Sequence, residues 1–409
     1  MSGPLNGVRI VDLSSILMGP YATQTLGDLG AEVIKVESLE GDLVRQIGPT
    51  RNPGMGHVFL NANRSKRSIA LDLKSPAGKA ALLRLVRDTD VFVYNMRPQA
   101  MARLGLTYED VVKANPKIIY VGVFGYGENG PYAGRPAYDD LIQGAIGLPS
   151  LIADAGAAMP RYVPVTVSDR ITGLIAVNTI LAAVIHCLKT GEGQRIDIPM
   201  FETMATFVMN DHLGGTTFEP PIGKAGYVRL LSKERRPYRT KDSYICAMIY
   251  NDKHWENFGK AMGKEAPFTA DPRFASFGAR IKYSDEVLGK ISDLFLTRTT
   301  AEWTALLEKA DIPVMPLHNL ETIFEDPHLK AVGFFSTEHH PSEGALRRMP
   351  VAGHWSKTQP ASTRHAPRLG EQSVEILKEA GYSEAEIADL IAQKVISTPA
   401  TAPGAKAEV

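Results

Sequence analysis

Residues 8–37 read VRIVDLSSILMGPYATQTLGDLGAEVIKVE. VRIVDL is a β-rich run, SSILMGP a loop, YATQTLGDLG helical and AEVIKVE a second strand, so the stretch reads as a βαβ unit. Gly19-Pro20 suits a helix start, because proline fits the first helical turn, and Gly30 suits a helix end. The pattern recurs downstream. SIALDL (68–73) reads as a strand, PAGKAALLRLVRD (76–88) as a helix opening on Pro76 and VFVYN (91–95) as a strand. YEDVVKAN (108–115) then reads as a helix and KIIYVGVFGYG (117–127) as a strand. Such alternation predicts an α/β fold: a mostly parallel sheet with helices on both faces. Ligands of such sheets bind beyond the carboxyl ends of the strands, so the loops at 14–18, 95–97 and 125–138 matter most.

Beyond Asp169, ITGLIAVNTILAAVIHCLKTGEG predicts a long helix stopped near Gly191, and RIDIPM (195–200) another strand. The apolar stretch 171–188 is interrupted by Thr172, Gly173, Asn178, Thr179 and His186, which reads as a buried helix and not a membrane span. Residues 214–240 are rich in Gly, Pro and Arg and read as a linker. Residues 241–325 read as a small domain, 326–344 as a return linker, and 1–213 with 345–409 as the large domain. Ser383 and Glu386 form a capping-box start for a late helix.

The chain has 409 residues, enough for two or three domains. Lys+Arg and Asp+Glu are both 45, so the formal net charge is zero. That argues against a nucleic-acid partner, which usually requires a basic excess, and gives no polybasic membrane surface. Cys187 and Cys246 form neither a disulfide framework nor a CxxC pair. No charged leader precedes an apolar segment at the N-terminus, so a cytoplasmic enzyme is the expectation.

Several motifs are weak. Gly125-x-Gly127-x-x-Gly130 follows a strand, but Pro131 and Pro136 prevent a helix at the third glycine, as dinucleotide binding requires. There is no GxxxxGK, no GxSxG and no HExxH, so no metal site is expected. His339-His340 reads as a solvated turn and His186 as a satisfied core residue. Arg64, Lys66, Arg67, Lys74, Arg97 and Arg103 form a basic set, either a solvated face or a phosphate site. Asp169 opens the long helix in VSDRITGLIA. Two readings stand: Ser168 or Asp169 as helix N-cap, or Asp169 as a carboxylate nucleophile that the helix dipole keeps ionised.

Taken together, PLNGVRIVDLSSILMGP, LGDLGAEVIKVE, NRSKRSIALDLKSPAGK, NMRPQAMARLGL, GENGPYAGRPAYDDLIQ, VSDRITGLIA, LKTGEGQRIDIPM, DPHLKAVGFF and APRLGEQSVEILKEAGYS resemble the family III CoA-transferases. The resemblance implies a Rossmann-like large domain built from both chain ends, a smaller central α+β domain and an interlocked homodimer. It implies transfer of CoA from an acyl-CoA to a carboxylic acid acceptor, with no permanently bound cofactor. Asp169 falls on the family's nucleophilic aspartate, forming first a mixed anhydride and then an aspartyl-CoA thioester. The CoA-contacting positions carry over as Ile16, Leu17, Met18, Leu71, Lys74, Asn95, Met96, Arg103, Leu104, Tyr138 and Met200. Ser38 stands where a family member has a CoA-contacting arginine, which leaves Arg64 or Arg97 to hold the nucleotide end. The glycine-rich loop of formyl-CoA transferase has no counterpart near 249–254. The rival within the fold is an α-methylacyl-CoA racemase, whose histidine position holds Arg135. A second rival is a CoA-binding protein without catalysis. Arg135, Arg161, Lys233, Arg235, Arg236 and Arg239 are candidates to pair a second carboxylate, which favours a dicarboxylic substrate such as succinyl-CoA.

Overall fold

In a computed structural model describing residues 3–263, 268 and 270–399, seven strands form one sheet. They are β1 (Arg9–Leu13), β2 (Glu32–Glu37), β3 (Lys66–Leu71), β4 (Val91–Tyr94), β5 (Ile119–Phe124), β6 (Arg195–Pro199) and, late in the chain, β12 (Ile396–Ser397). Their order is β12-β3-β2-β1-β4-β5-β6. All neighbours pair in parallel except β12, which runs antiparallel to β3. The central strands are buried along almost their whole length, as expected where helices cover both faces.

Alternate side chains build two cores, because successive strand residues point to opposite faces. Val11, Ile34, Ile69, Phe92 and Tyr120 meet the helices Pro76–Val86, Tyr108–Ala114, Ser373–Glu379 and Glu384–Ala392. Ile10, Val33, Val91, Val93 and Val121 meet the helices Met18–Asp28, Asp139–Ala145 and Val167–Thr190. The last helix crosses Met18–Asp28 closely. A Cβ at Gly173 would sit 2.9 Å from the Met18 carbonyl oxygen, so glycine is required there.

The chain divides into two compact units. One takes the residues up to Ile146, then Pro164–Ala205 and those from Gly333 onward. The second takes Gly147–Val163 and Thr206–Val332. The sequence reading kept 1–213 as one stretch, whereas here 147–163 and 206–213 belong to the second unit. Its short sheet is β7 (Tyr238–Arg239), β8 (Tyr244–Ala247) and β9 (Val314–Pro316), in antiparallel pairs. Trp255, Phe258, Phe295 and Trp303 centre its core.

Three local expectations are corrected. The return stretch is not simply a linker: β10 (Ser336–His340) and β11 (Gly344–Arg348) form a hairpin. His340 is not a solvated turn residue. It is buried, its Nε2 contacts the Ala366 carbonyl at 2.9 Å, and Nδ1 accepts from Glu343 N–H. Burial lowers its pKa and favours the neutral ring. His186 is exposed, as are Leu174, Ile175, Ile185 and Leu188, so the long helix buries one face only.

Candidate active site

Asp169 lies in the first turn of Val167–Thr190, where the cap residue is Thr166 and no side chain caps the helix from that position. The capping role falls instead on a residue thirty positions upstream. Asp139, at the start of Asp139–Ala145, is 7% exposed, and its Oδ1 accepts the Asp169 N–H at 2.9 Å. Its other oxygen accepts from Gln143 Nε2 at 2.6 Å. The Asp169 carboxylate therefore does no capping, and it accepts no hydrogen bond among the described residues. Burial first, and the nearby Asp139 charge second, raise its pKa to about 7, while Arg170 opposes them. The helix dipole does not hold it in the ordinary carboxylate range. Arg170 itself lies over the Tyr21 ring at 4.4 Å. A half-buried carboxylate without hydrogen-bond donors is poorly stabilised as an anion and so is a better nucleophile.

The strand order reverses between β1 and β4, which makes their carboxyl ends the expected ligand crevice. Asn95, directly after β4, clasps the loop after β1. Its Oδ1 accepts from Ser15 N–H at 2.9 Å and its Nδ2 donates to Ser15 O at 2.6 Å. The next residue, Ile16, has φ 69°, a left-handed conformation costly for a β-branched side chain. Asp42 secures it by accepting Ile16 N–H at 3.0 Å.

Beneath the loop lies a buried ionic network. Lys35 Nζ reaches Asp42 and the Ser14 carbonyl, each at 3.0 Å. Lys66 Nζ contacts Asp12 at 2.9 Å, and Arg45 grips Glu37 with two donors at 2.7 and 2.8 Å. Burial would raise the Asp12 pKa, but Lys66 and Lys35 outweigh it and hold the group at about 2. Glu37 is likewise lowered to about 2 against burial, chiefly by Arg45. Burial brings Lys66 down to about 8, despite Asp12. These charges fix the loop on which Ile16, Leu17 and Met18 stand.

The other candidate contacts also follow strand ends. Leu71 ends β3 and Lys74 is exposed just beyond it. Met96 and the exposed Arg97 follow β4. Arg103 and Leu104 close the helix Pro98–Leu104. Tyr138 is exposed before Asp139, and Met200 is buried after β6. Arg135 stacks over Tyr132 at 4.5 Å. No helix opens at Gly130; the Gly127 N–H donates instead to Glu202 at 2.9 Å. The basic set does not converge. Arg64 is tied to Asp28, Lys66 to Asp12 and Arg67 to Glu375 and Glu379. Arg64 is thus committed to structure, whereas Lys74, Arg97 and Arg103 have no ion-pair partner among the described residues. Asp139 and Gln143 were missed in the sequence. Their only signal was an acidic helix start in AYDDLIQ, which does not reveal a partner thirty residues away.

The sequence pattern of CoA-transferase family III matches residues 5–373. The chain belongs to that family. The succinate–glutarate CoA-transferase of Agrobacterium fabrum is 32% identical to this CoA-transferase over 386 residues, covering 92% of this chain and 95% of its own. Human succinyl-CoA:glutarate CoA-transferase is 31% identical, covering 96% and 90%. The crystal structure of a CAIB/BAIF family protein from Brucella suis superposes with a TM-score of 0.77 at 30% identity, covering 93% of this chain and all of the other. These relatives favour a transferase over the racemase alternative, in keeping with an arginine at position 135.

Proposed function

We propose that this family III CoA-transferase moves CoA from a dicarboxylic acyl-CoA, such as succinyl-CoA, to a free carboxylic acid, with Asp169 as nucleophile. The supporting observation is the Asp169 carboxylate, freed from capping by Asp139 and left without hydrogen bonds among the described residues in a half-buried position. The dicarboxylic donor is suggested by the succinate and glutarate in the relatives' names.

An Asp169 oxygen attacks the donor thioester carbonyl, the C–S bond breaks, and a mixed anhydride and CoA thiolate form. The thiolate attacks the Asp169 acyl carbon, which releases the donor acid and leaves an aspartyl-CoA thioester. The acceptor carboxylate attacks that thioester and expels the thiolate. The thiolate then attacks the acceptor carbonyl, yielding the new acyl-CoA and restoring the Asp169 carboxylate. No external energy source is needed, because one thioester replaces another. The protein's part is to position the reactants and limit water.

In this reading Lys74, Arg97 and Arg103 meet CoA phosphates, and Ile16, Leu17, Met18, Leu71, Met96, Leu104, Tyr138 and Met200 meet its apolar parts. Asn95 shapes the loop between them. A second copy of the chain, interlocked with the first, would cover the exposed face carrying Leu174, Ile175, Ile185 and Leu188.

Intact-protein mass spectrometry after incubation with succinyl-CoA tests the reading. An adduct of CoA or succinyl mass on the peptide containing Asp169, absent from Asp169→Ala, is expected. Transfer by purified Asp169→Ala at near the wild-type rate would overturn it.

A further inference from the structure

The second unit contains a cavity of about 300 Å³, entirely within that unit, between the end of β8 and the helices Asp252–Met262, Phe277–Lys282 and Ser284–Phe295. Its walls are apolar and aromatic: Ile249, Tyr250, Trp255, Phe277 and Val287. Four arginines, Arg229, Arg235, Arg236 and Arg280, also line it. Arg235 and Arg236 come from the basic linker run, whereas Lys233, Arg239 and Arg161 do not line it. Among the described residues no carboxylate side chain does either.

The arginines are unequally compensated. Arg236 pairs with Glu234 at 2.9 Å, and Arg280 pairs with Asp252. Arg229 meets the Met248 sulfur and lies 5.1 Å from the Tyr250 ring centre, and Arg235 has no ion pair among the described residues. Two guanidiniums therefore lack a counter-charge among the described residues. Arg280 is fixed in the wall. It is 7% exposed and donates to the Phe274 carbonyl at 2.8 Å, yet its Nε–H is buried with no partner among the described residues.

We infer that this cavity is an organic-anion site that takes a short aliphatic dicarboxylate. Guanidiniums form planar, two-donor forks suited to carboxylates. Two uncompensated cations call for two negative charges, and the apolar wall suits a methylene spacer between them. The volume is at the small end of ligand pockets, which span roughly 300–1,000 Å³. It suits a four- or five-carbon diacid better than the nucleotide end of CoA. The inference rests on the proposed use of a free acid, and assigns a place within the second unit that binds it.

The test uses the full-length protein, with Arg229→Met and Arg235→Met separately and together. Glutarate binding is followed by calorimetry, and transfer from succinyl-CoA to glutarate by product analysis. The double variant should bind glutarate at least tenfold more weakly and show a similar rise in the KM for glutarate. The KM for succinyl-CoA should change less, and inorganic phosphate should not displace glutarate. Arg235→Glu, a charge reversal at an exposed position, should give the same direction without loss of fold. Wild-type glutarate binding by the double variant would overturn the site while leaving transfer intact, as would displacement by phosphate. Loss of glutarate binding in the double variant, in a protein that transfers no CoA, would uphold the site and remove the transferase reading.

Discussion

The Asp139 carboxylate accepts the backbone N–H of Asp169 at 2.9 Å, so one acidic residue caps the helix and relieves the other of that role. The two act on each other electrostatically. Asp139 is the second cause, after burial, of the raised Asp169 pKa of about 7, and Arg170 is the opposing charge. In the proposed mechanism, attack requires the ionised form. Transfer should therefore rise with pH through about 7 and level off above it. Asp139→Asn keeps an oxygen for the Asp169 N–H but removes the charge. The acid limb of kcat/KM should then move down by about one pH unit, equivalent to about 1.4 kcal/mol. A limb that stays in place would show that Asp139 does not tune Asp169.

The same shift carries a stability consequence. A folded-state pKa above the ordinary carboxylate value means that folding favours the protonated group. That contribution is full below about pH 4 and is lost as pH rises through about 7. Asp169→Asn removes the buried charge, so it should stabilise the protein at pH 8 by roughly 1–3 kcal/mol and have little effect at pH 4. Urea denaturation at the two pH values measures the difference. Equal effects at both would contradict the sign.

Asn95 is the only link described between the Ser15 backbone and the end of β4, and it uses both ends of its amide. Asn95→Ala removes both bonds next to the left-handed Ile16. We expect the KM for acyl-CoA to rise about tenfold, about 1.4 kcal/mol, with a smaller fall in kcat. Steady-state kinetics at saturating acceptor test this. A change confined to kcat would place Asn95 in the chemical step instead.

Lys35 shows where a charge in a strand is structural. It is fully buried between Asp42 and Ser14 O, and burial acts against its charge while Asp42 and Asp12 more than restore it. Lys35→Met leaves Asp42 without its cation and should cost about 3–5 kcal/mol. Adding Asp42→Asn should recover part of that loss, because the residual charge is gone. Denaturant midpoints of the two single variants and the double variant give the coupling, and strict additivity would rule the pairing out.

Much of the sheet was legible because β1, β4 and β5 are short apolar runs between turn signals, and central parallel strands need no polar face. Their register against the sequence reading was less so: the strand placed at 68–73 is Lys66–Leu71, since Lys66 and Arg67 are drawn inside by Asp12 and by Glu375 and Glu379. In AEVIKVE, Lys35 and Glu37 look like solvent-facing charges, and only the folded positions of Asp42 and Arg45 explain their burial. Asp169 was legible as a helix opening, and its local sequence favoured a cap until the family resemblance pointed to a nucleophile. The deciding contact with Asp139 spans thirty residues, beyond the reach of local pattern. His340 was misread because its partner, the Ala366 carbonyl, lies 26 residues on.

The long helix supplies the last prediction. Its inner face packs through Ala176, Val177, Ile180, Ala183 and Val184, but Leu174, Ile175, Ile185 and Leu188 stand exposed, with Leu188 at 79%. So much apolar surface on one helix calls for a covering partner. If the partner is a second copy threaded through the first, dissociation requires unfolding. Tagged and untagged dimers mixed under native conditions should then exchange no subunits over days. Exchange should follow only after denaturation and refolding together. Native mass spectrometry reads both states. Mixed dimers forming within minutes at micromolar concentration would mean that the copies associate side by side, without threading. A monomer would mean that a second copy does not cover the helix.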